Sequence, residues 1–408
     1  MAKNNIITGL DIGTSSVKAL SAVPKPDSQD LEVLGCVQVP SFGVRRGVVV
    51  KVDEVVKNIV QALSQLQEEV GQKIEDVYTN IGGSHIFSTP SRGTVIVSRA
   101  DQRISEEDVH RVIQAAQAFS LPSNQEILDI FPQEYIIDSQ GQIKEPLDMQ
   151  GLRLEVKVLA LCAFSPYLKN LTSVVLNAGF QISDIIPSSL ASSYAVLTPQ
   201  QKELGVCLVD IGAGTTDLAI YEEGDLVHLA VFPIGSEHIT HDLAVGLKTD
   251  IEIAEQIKKE FGSCILKGGN KKERVEAPGG QNDGEPLTFY HRLLVNIIEP
   301  RVSEIFGLVQ KELKNVLLQK TLPAGIVLTG GGAKLPKIVE LAKKELKLPV
   351  RIGLTRGMAG LAEDPIWSTV SGLVLSGRDL AGGEGRRGPI TSRGPVGKFK
   401  KIFKIFLP

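Results

Sequence analysis

Over residues 5–80 short apolar runs alternate with one long amphipathic stretch. NIITGLDIG, VKALSAV and LEVLGCVQV read as successive strands, and VDEVVKNIVQALSQLQEEVG as a helix with Asp53 near its start and Gly71 past its end. DVYTNIGG returns as a strand, the mixed grammar of a layered α/β domain. From 82 to 164 the texture changes. SRGTVIVS is a short strand, ISEEDVHRVIQAAQAF an amphipathic helix opening on Ser105 with Glu107 and Asp108 in its first turn, and EILDIFPQEYIID and GLRLEVKVLALCAF are further strands. This segment is predicted to be a compact inserted α+β subdomain. SPYLKNLTSVVLNAGF follows as a helix ended by Gly179, and ISDIIPSSLASSYAVL crosses toward a second half.

That second half mirrors the first. VCLVDIGAGTTDLAIY and DLVHLAVFPIG read as strands, with helices over 236–261. Residues 262–284 mix Gly, Lys and Pro with little periodicity and are predicted as an exposed loop. RLLVNIIEPRVSEIFGLVQKELKNVL is a long helical pattern whose Pro300 marks either a break or a first turn. PAGIVLTGGGAKLPKIVELAKKEL is a strand, a glycine-rich turn and a helix.

With 408 residues and 42% apolar content, the chain can build two or more cores. A formal net charge of -3 does not support nucleic acid as a partner, because backbone phosphates call for a concentrated positive field. There is no signal-peptide pattern and no apolar run long enough to span a bilayer, so the body is expected in the cytoplasm. Cys36, Cys162, Cys207 and Cys264 lie far apart, which argues against zinc and against a disulfide framework. His238 and His241 could share a helix face, but nothing completes a metal set around them.

Chemistry is carried by a repeat. TGLDIGTSSVKAL at 8–20 and CLVDIGAGTTDLAI at 207–220 each end an apolar strand in Asp-Ile-Gly, followed by small residues and hydroxyls. Such turns offer amides to an anion, and side chains bulkier than Ser or Thr would hold the anion away. Gly13, Thr14, Ser15 and Ser16 can cradle phosphates on one side, and Gly212, Gly214, Thr215 and Thr216 on the other. Asp11 and Asp210 are placed to face a Mg²⁺ ion through water. A third loop, LTGGGAKLP, supplies Gly330, Gly331 and Gly332, where backbone can approach a base or ribose, although a glycine turn can also merely redirect the chain. Neither the P-loop spacing nor a G-x-G-x-x-G fingerprint is present. Nucleotide binding is the leading reading.

The ordered set DIGTSS, DIGAGTTD and TGGGAKL resembles the actin and sugar-kinase superfamily. That resemblance implies an α/β fold of two ribonuclease-H-like lobes with ATP and Mg²⁺ between them. It also implies that QIKKEFG, through Glu255 and Lys258, lines the nucleoside; a plain surface helix would have the same composition.

The C-terminal GKFKKIFKIFLP, wound as a helix over 398–408, gathers Phe399, Ile402, Phe403 and Phe406 on one side and Lys398, Lys400, Lys401 and Lys404 on the other. It is too short to cross a bilayer but long enough to lie in the surface of an anionic membrane; docking on its own body or in a partner's groove are the alternatives. The Gly-, Arg- and Ser-rich 376–397 reads as a flexible tether.

Taken with NIGGSHI, SRGTVIVS, SSLASSYAVL and VFPIGSEHITHDLAVGL, the whole chain resembles the bacterial cell-division family FtsA. The implied first lobe spans 1–81 and 165–195, with the insert at 82–164. The second lobe spans 196–240 and 300–375, with a small subdomain at 241–299. The implied role is to polymerise on the inner face of the cell membrane at the division site and to tether the tubulin-like FtsZ ring, with other division proteins as further partners. The FtsZ C-terminal tail would meet the small subdomain, where NIIEPRVSEIF makes Arg301 its anchor, unless that arginine serves only local ion pairs. Ser188 and Ser189 stand where some relatives carry an acid, so ATP turnover is expected to be slow or undetectable. An actin-fold small-molecule kinase and a chaperone-like ATPase are the alternatives; the kinase would have little use for the amphipathic tail, and the chaperone would need a peptide-binding domain, for which 82–164 is small and 376–408 too short.

Overall fold

Each copy of the repeated signature folds as an antiparallel hairpin, Ile7–Ile12 with Ser16–Pro24 and Val206–Ile211 with Thr216–Glu222. The computed structural model describes residues 6–26, 28, 30–266, 274–277, 287–317 and 321–381. The strands Ile7–Ile12 and Val206–Ile211 are buried at every position, as central strands covered on both faces must be.

Both hairpins lie in sheets of one topology. The first runs in the order Gln181–Pro187, Asp76–Ile81, Ile7–Ile12, Ser16–Pro24, Leu31–Pro40, with Met358–Ala359 added at the last edge. The second runs Val350–Ile352, Ile326–Thr329, Val206–Ile211, Thr216–Glu222, Asp225–Phe232. In each, a three-stranded antiparallel meander is extended by two parallel crossover strands. The helix Val52–Val70 covers the first sheet with Val55, Ile59, Leu63 and Leu66 and stops at Gly71, whose φ of 69° closes a left-handed cap onto the Gln67 carbonyl.

The insert is a sheet of Phe87–Ile96, Arg153–Phe164, Gln125–Ile137 and Gln140–Ile143 under the helix Glu106–Gln117. Ser105 and Asp108 close a capping box at the start of that helix. The insert rests on the edge strand of the second sheet. Ser88 Oγ meets the Leu229 N–H and carbonyl, both at 3.2 Å, and His228 Nδ1 at 3.1 Å, while His228 Nε2 reaches Glu312 at 2.7 Å. Gln133 donates to the Leu226 carbonyl.

Four sequence-based boundaries shift. Pro300 is neither a break nor a first turn: His291–Leu317 runs through it, and Asn296, whose carbonyl loses its helical donor, lies exposed to water. Within the expected loop 262–284, Arg274–Ala277 is a strand paired with Leu287–Tyr290; residues 267–273 and 278–286 lie outside the described residues. The subdomain limits at 240 and 299 fall inside continuous helices, Ser236–Leu247 and His291–Leu317. Finally, the helix Ser368–Ala381 continues through the first six positions assigned to the tether. Beyond its first two residues, Ser368 and Thr369, which bond to the second lobe, it packs on the first: a Cβ at Gly9 would come within 2.7 Å of the Val370 carbonyl, and one at Gly372 within 1.7 Å of the Ala191 carbonyl. Helix backbone rests there directly on strand and helix, an approach only glycine permits. Residues 382–408, and with them Lys398, Phe399, Lys400, Lys401, Ile402, Phe403, Lys404 and Phe406, lie outside the described residues.

Candidate functional site

The two Asp-Ile-Gly turns close in the same way: Gly13 N–H donates to the Ser16 carbonyl at 3.1 Å, and Gly212 N–H to that of Thr215 at 2.9 Å. They also meet. A Cβ at Gly214 would lie 2.8 Å from Thr14 Oγ1 and 3.0 Å from Arg46 Cα, so the turn of one lobe is in van der Waals contact with that of the other. Thr14 Oγ1 in turn accepts from Gly47 N–H at 3.1 Å.

The third loop packs behind them. Gly330, with φ of 81°, lies against Asp210, where a Cβ would come within 2.2 Å of Oδ1, and a Cβ at Gly332 would collide with Ile211. Two of the three glycines are therefore explained by packing on the second turn. Among the described residues Gly331 has only Ile366 near, at 3.8 Å from where a Cβ would lie, and is the one of the three whose α-carbon faces open space.

Cross-strand register gives each turn a second charged group seven positions on: Asp11 lies opposite Lys18, and Asp210 opposite Asp217. Asp11 Oδ2 takes the Lys18 ammonium at 2.9 Å and Oδ1 the Asn80 amide at 2.9 Å. Asn80 also accepts from Ile12 N–H and donates to Ser188 Oγ, which donates on to the Ile81 carbonyl. Asp210 Oδ2 is held by Ser192 Oγ at 2.6 Å and Thr369 Oγ1 at 3.3 Å. Burial pushes the Asp210 carboxyl up and Asp11 adds to this, against Ser192, Lys18 and Thr369. Asp217 is pushed up to about 8 by burial and by the neighbouring Asp210, against a hydrogen bond with Thr215, and its Oδ1 is buried without a partner among the described residues. The sheet thus holds two desolvated carboxyls against each other, which favours a compensating positive charge between the turns.

Among the described residues no three His, Cys, Asp or Glu side chains converge to ligate a metal directly. Asp11 and Asp210 suit an ion that arrives on phosphate oxygens and water, since each carboxylate oxygen can still accept from water beside its present donors.

The remaining candidates are placed as follows. Ser15 is exposed beside the first turn and Ser16 is buried at the start of its strand. Thr216 corrects the sequence reading: its hydroxyl donates to the Ile234 carbonyl at 2.8 Å, inside the second lobe, and does not face the cleft. Lys258, on the helix Ile251–Phe261, is buried and bound to Glu255 at 2.6 Å, to Thr240 Oγ1 at 2.7 Å and to the Ser236 carbonyl at 3.1 Å. Ser236 N–H bonds the Gly212 carbonyl, so this ion pair sits one residue behind the second turn. Burial alone would raise the Glu255 carboxyl, but Lys258, Thr240 and Lys259 together outweigh it and the net shift is downward. Arg301 is forked onto both oxygens of Asp242 at 2.6 and 2.9 Å and paired with Glu304.

Sequence reasoning did not single out Asn80, Lys18, Asp217, Ser192 or Thr369. The equal seven-residue offset in both repeats could have exposed Lys18 and Asp217; the others join only through tertiary contacts.

Two lobes of one topology, joined at matching turns with an insert in the first, define an actin-like fold. Solved structures of that fold agree: the PilM-PilN type IV pilus biogenesis complex, at TM-score 0.65 and 18% identity over 91% of this chain and 98% of that one, and MreB5 of Spiroplasma citri bound to ADP, at 0.55 and 15% over 93% and 98%. Within it, the family described as cell division protein FtsA matches residues 207–372, and the SHS2 domain inserted in FtsA matches 83–162. FtsA of Pseudomonas aeruginosa is 41% identical over 91% of this chain and 89% of its own length; that of Neisseria meningitidis is 39% identical over 92% and 91%, and that of Bacillus subtilis 36% over 92% and 84%. The chain belongs to the FtsA family of cell-division proteins.

Proposed function

We propose that this cell-division protein binds ATP with Mg²⁺ between its two turns, self-associates as an actin-like filament, and ties the FtsZ C-terminal tail to anionic lipid at the cytoplasmic face of the membrane. The direct contact of Gly214 with Thr14 carries the nucleotide part. It brings two sets of turn amides and two carboxylates to one place, the arrangement a polyphosphate and its ion require. The fold likeness to an MreB5 solved with ADP, and to one solved with AMPPNP, supports it. A bound Mg²⁺ would supply charge neutralisation of the phosphates.

Hydrolysis is slow in this reading because Ser188, at the position where a water-orienting acid would stand, is committed to Asn80 and the Ile81 carbonyl. Arg301 keeps two of its five guanidinium N–H groups beyond those given to Asp242 and Glu304, enough to add a tail carboxylate. Val245 on Ser236–Leu247, Ile251 on Ile251–Phe261 and Leu293 on the Arg301 helix are exposed, as apolar positions for such a peptide. The membrane part rests on the 3.6-residue segregation of aromatics and lysines over 398–408.

The test is co-sedimentation of full-length and 1–397 protein with anionic liposomes, with and without FtsZ tail peptide and Mg-ATP. Full-length protein should carry the peptide to the membrane and the truncation should not. If neither tail nor peptide matters, the adaptor reading fails.

A further inference from the structure

We propose that Arg46 recognises the terminal phosphate of the bound nucleoside triphosphate and so distinguishes it from the diphosphate. The inference rests on the nucleotide reading above. Arg46 and Gly47 form the two-residue turn of the hairpin Val44–Arg45 with Val48–Val49, and both have positive φ, 49° and 76°. Asn and Gly favour that conformation and arginine does not, so its surroundings must hold it there.

Those surroundings are the two phosphate turns. Gly47 N–H is bonded to Thr14 of the first, and Arg46 Cα lies 3.0 Å from where a Cβ of Gly214 in the second would stand. The α-carbon of Arg46 therefore sits on the seam where the lobes meet. Its side chain is exposed and makes no ion pair or hydrogen bond among the described residues. The lysines attached to the turns differ: Lys18 is spent on Asp11 and Lys334 on Asp364. Arg46 also has electrostatic reach across the seam, since after burial it is the first charge that lowers the pKa of His238, at the start of the second-lobe helix Ser236–Leu247.

A guanidinium forks onto phosphate oxygens and carries its charge at every physiological pH. The γ-phosphate adds negative charge and oxygens that a diphosphate lacks. An arginine anchored on both turns would therefore hold the lobes together only while that group is present.

Full-length protein, wild type and with Arg46→Gly or Arg46→Lys, is titrated calorimetrically with Mg-ATP and with Mg-ADP. In Arg46→Gly the ATP affinity should fall about tenfold, the loss of one charge-assisted contact, while ADP affinity stays within about twofold. Arg46→Lys should retain part of the preference. The melting temperature of Arg46→Gly should equal or exceed that of wild type, because glycine suits the turn. An unchanged ATP-to-ADP ratio, or parallel weakening of both nucleotides, would overturn the proposal in favour of a turn-shaping role. Wild type that binds neither nucleotide would instead overturn the nucleotide reading itself.

Discussion

Substituting Gly214 by alanine tests whether the lobes must touch for nucleotide to bind. The new methyl would lie 2.8 Å from Thr14 Oγ1 and 3.0 Å from Arg46 Cα, where ordinary contact begins near 3.4 Å. Both obstacles are in the first lobe, so the molecule can relieve the clash by parting the lobes without disturbing either core. If closure is required for binding, the overpacking cost of about 1–3 kcal/mol is charged to the bound state, and affinity falls about 5- to 150-fold. The melting temperature of the apo protein should move little. Gly307→Ala is the control: among the described residues nothing beyond its chain neighbours and its own helix backbone lies within 4 Å of where a Cβ would stand, it sits exposed on the long helix, and it should gain up to about 1 kcal/mol of stability at unchanged affinity. Calorimetric titration of full-length protein with Mg-ATP, beside a thermal melt, gives both readouts. Wild-type affinity in Gly214→Ala would refute the idea that this contact belongs to the bound state.

Lys202 is buried with its ammonium 4.5 Å from the Tyr221 ring centre and 5.1 Å from that of Tyr194, and burial depresses it from 10.5 to about 8. Such a shift is worth roughly 3 kcal/mol, of which the ring contacts return about 1–2. The unfolded chain binds more protons between pH 8 and 10.5, so this group's contribution to stability rises with pH through that window. Lys202→Met should accordingly be the more stable protein at pH 7 and lose its advantage toward pH 10 in urea melts; a pH-independent difference would refute the charging cost. Asp108→Ala strips a wholly buried carboxylate from Ser98, Ser105 and Arg111 and should cost about 2–4 kcal/mol, seen as a lower melting temperature. Phe403→Asp should abolish liposome co-sedimentation nearly as fully as removing 398–408, with ATP binding intact, because it sets a charge in the apolar face. Steady-state ATP turnover should be negligible; many turnovers per minute, lost in Asp210→Ala, would contradict the reading of slow hydrolysis.

Features set by a few neighbouring residues were legible in the chain. The two Asp-Ile-Gly turns, the Gly71 cap and the Ser105 capping box each depend on local backbone chemistry and stand where their residues implied. What escaped depends on partners distant in sequence. Arg274–Ala277 becomes a strand only by pairing with Leu287–Tyr290, so it shows no local period. Pro300 stays helical because its face is wet and the cost falls on one exposed carbonyl. Around the site, Asn80 reaches Asp11 across 69 positions and Thr369 reaches Asp210 across 159, contacts that no motif spacing announces. Thr216 erred in the opposite sense: its place in the motif suggested an anion ligand, yet the hydroxyl is turned inward by the strand's alternation.

Thr369 belongs to the helix Ser368–Ala381, and that gives the helix a mechanical character. Near one end its hydroxyl is bonded to the carboxylate at the base of the second turn; along its length it lies on the first lobe; at the other end the chain leaves for residues 382–408. At 1.5 Å per residue its 14 residues make a strut about 21 Å long. Any displacement of Asp210 that Thr369 follows must either move the tail's point of departure or break the strut. The cleft and the C-terminal tail are in this sense two ends of one lever, with the first lobe as its bearing.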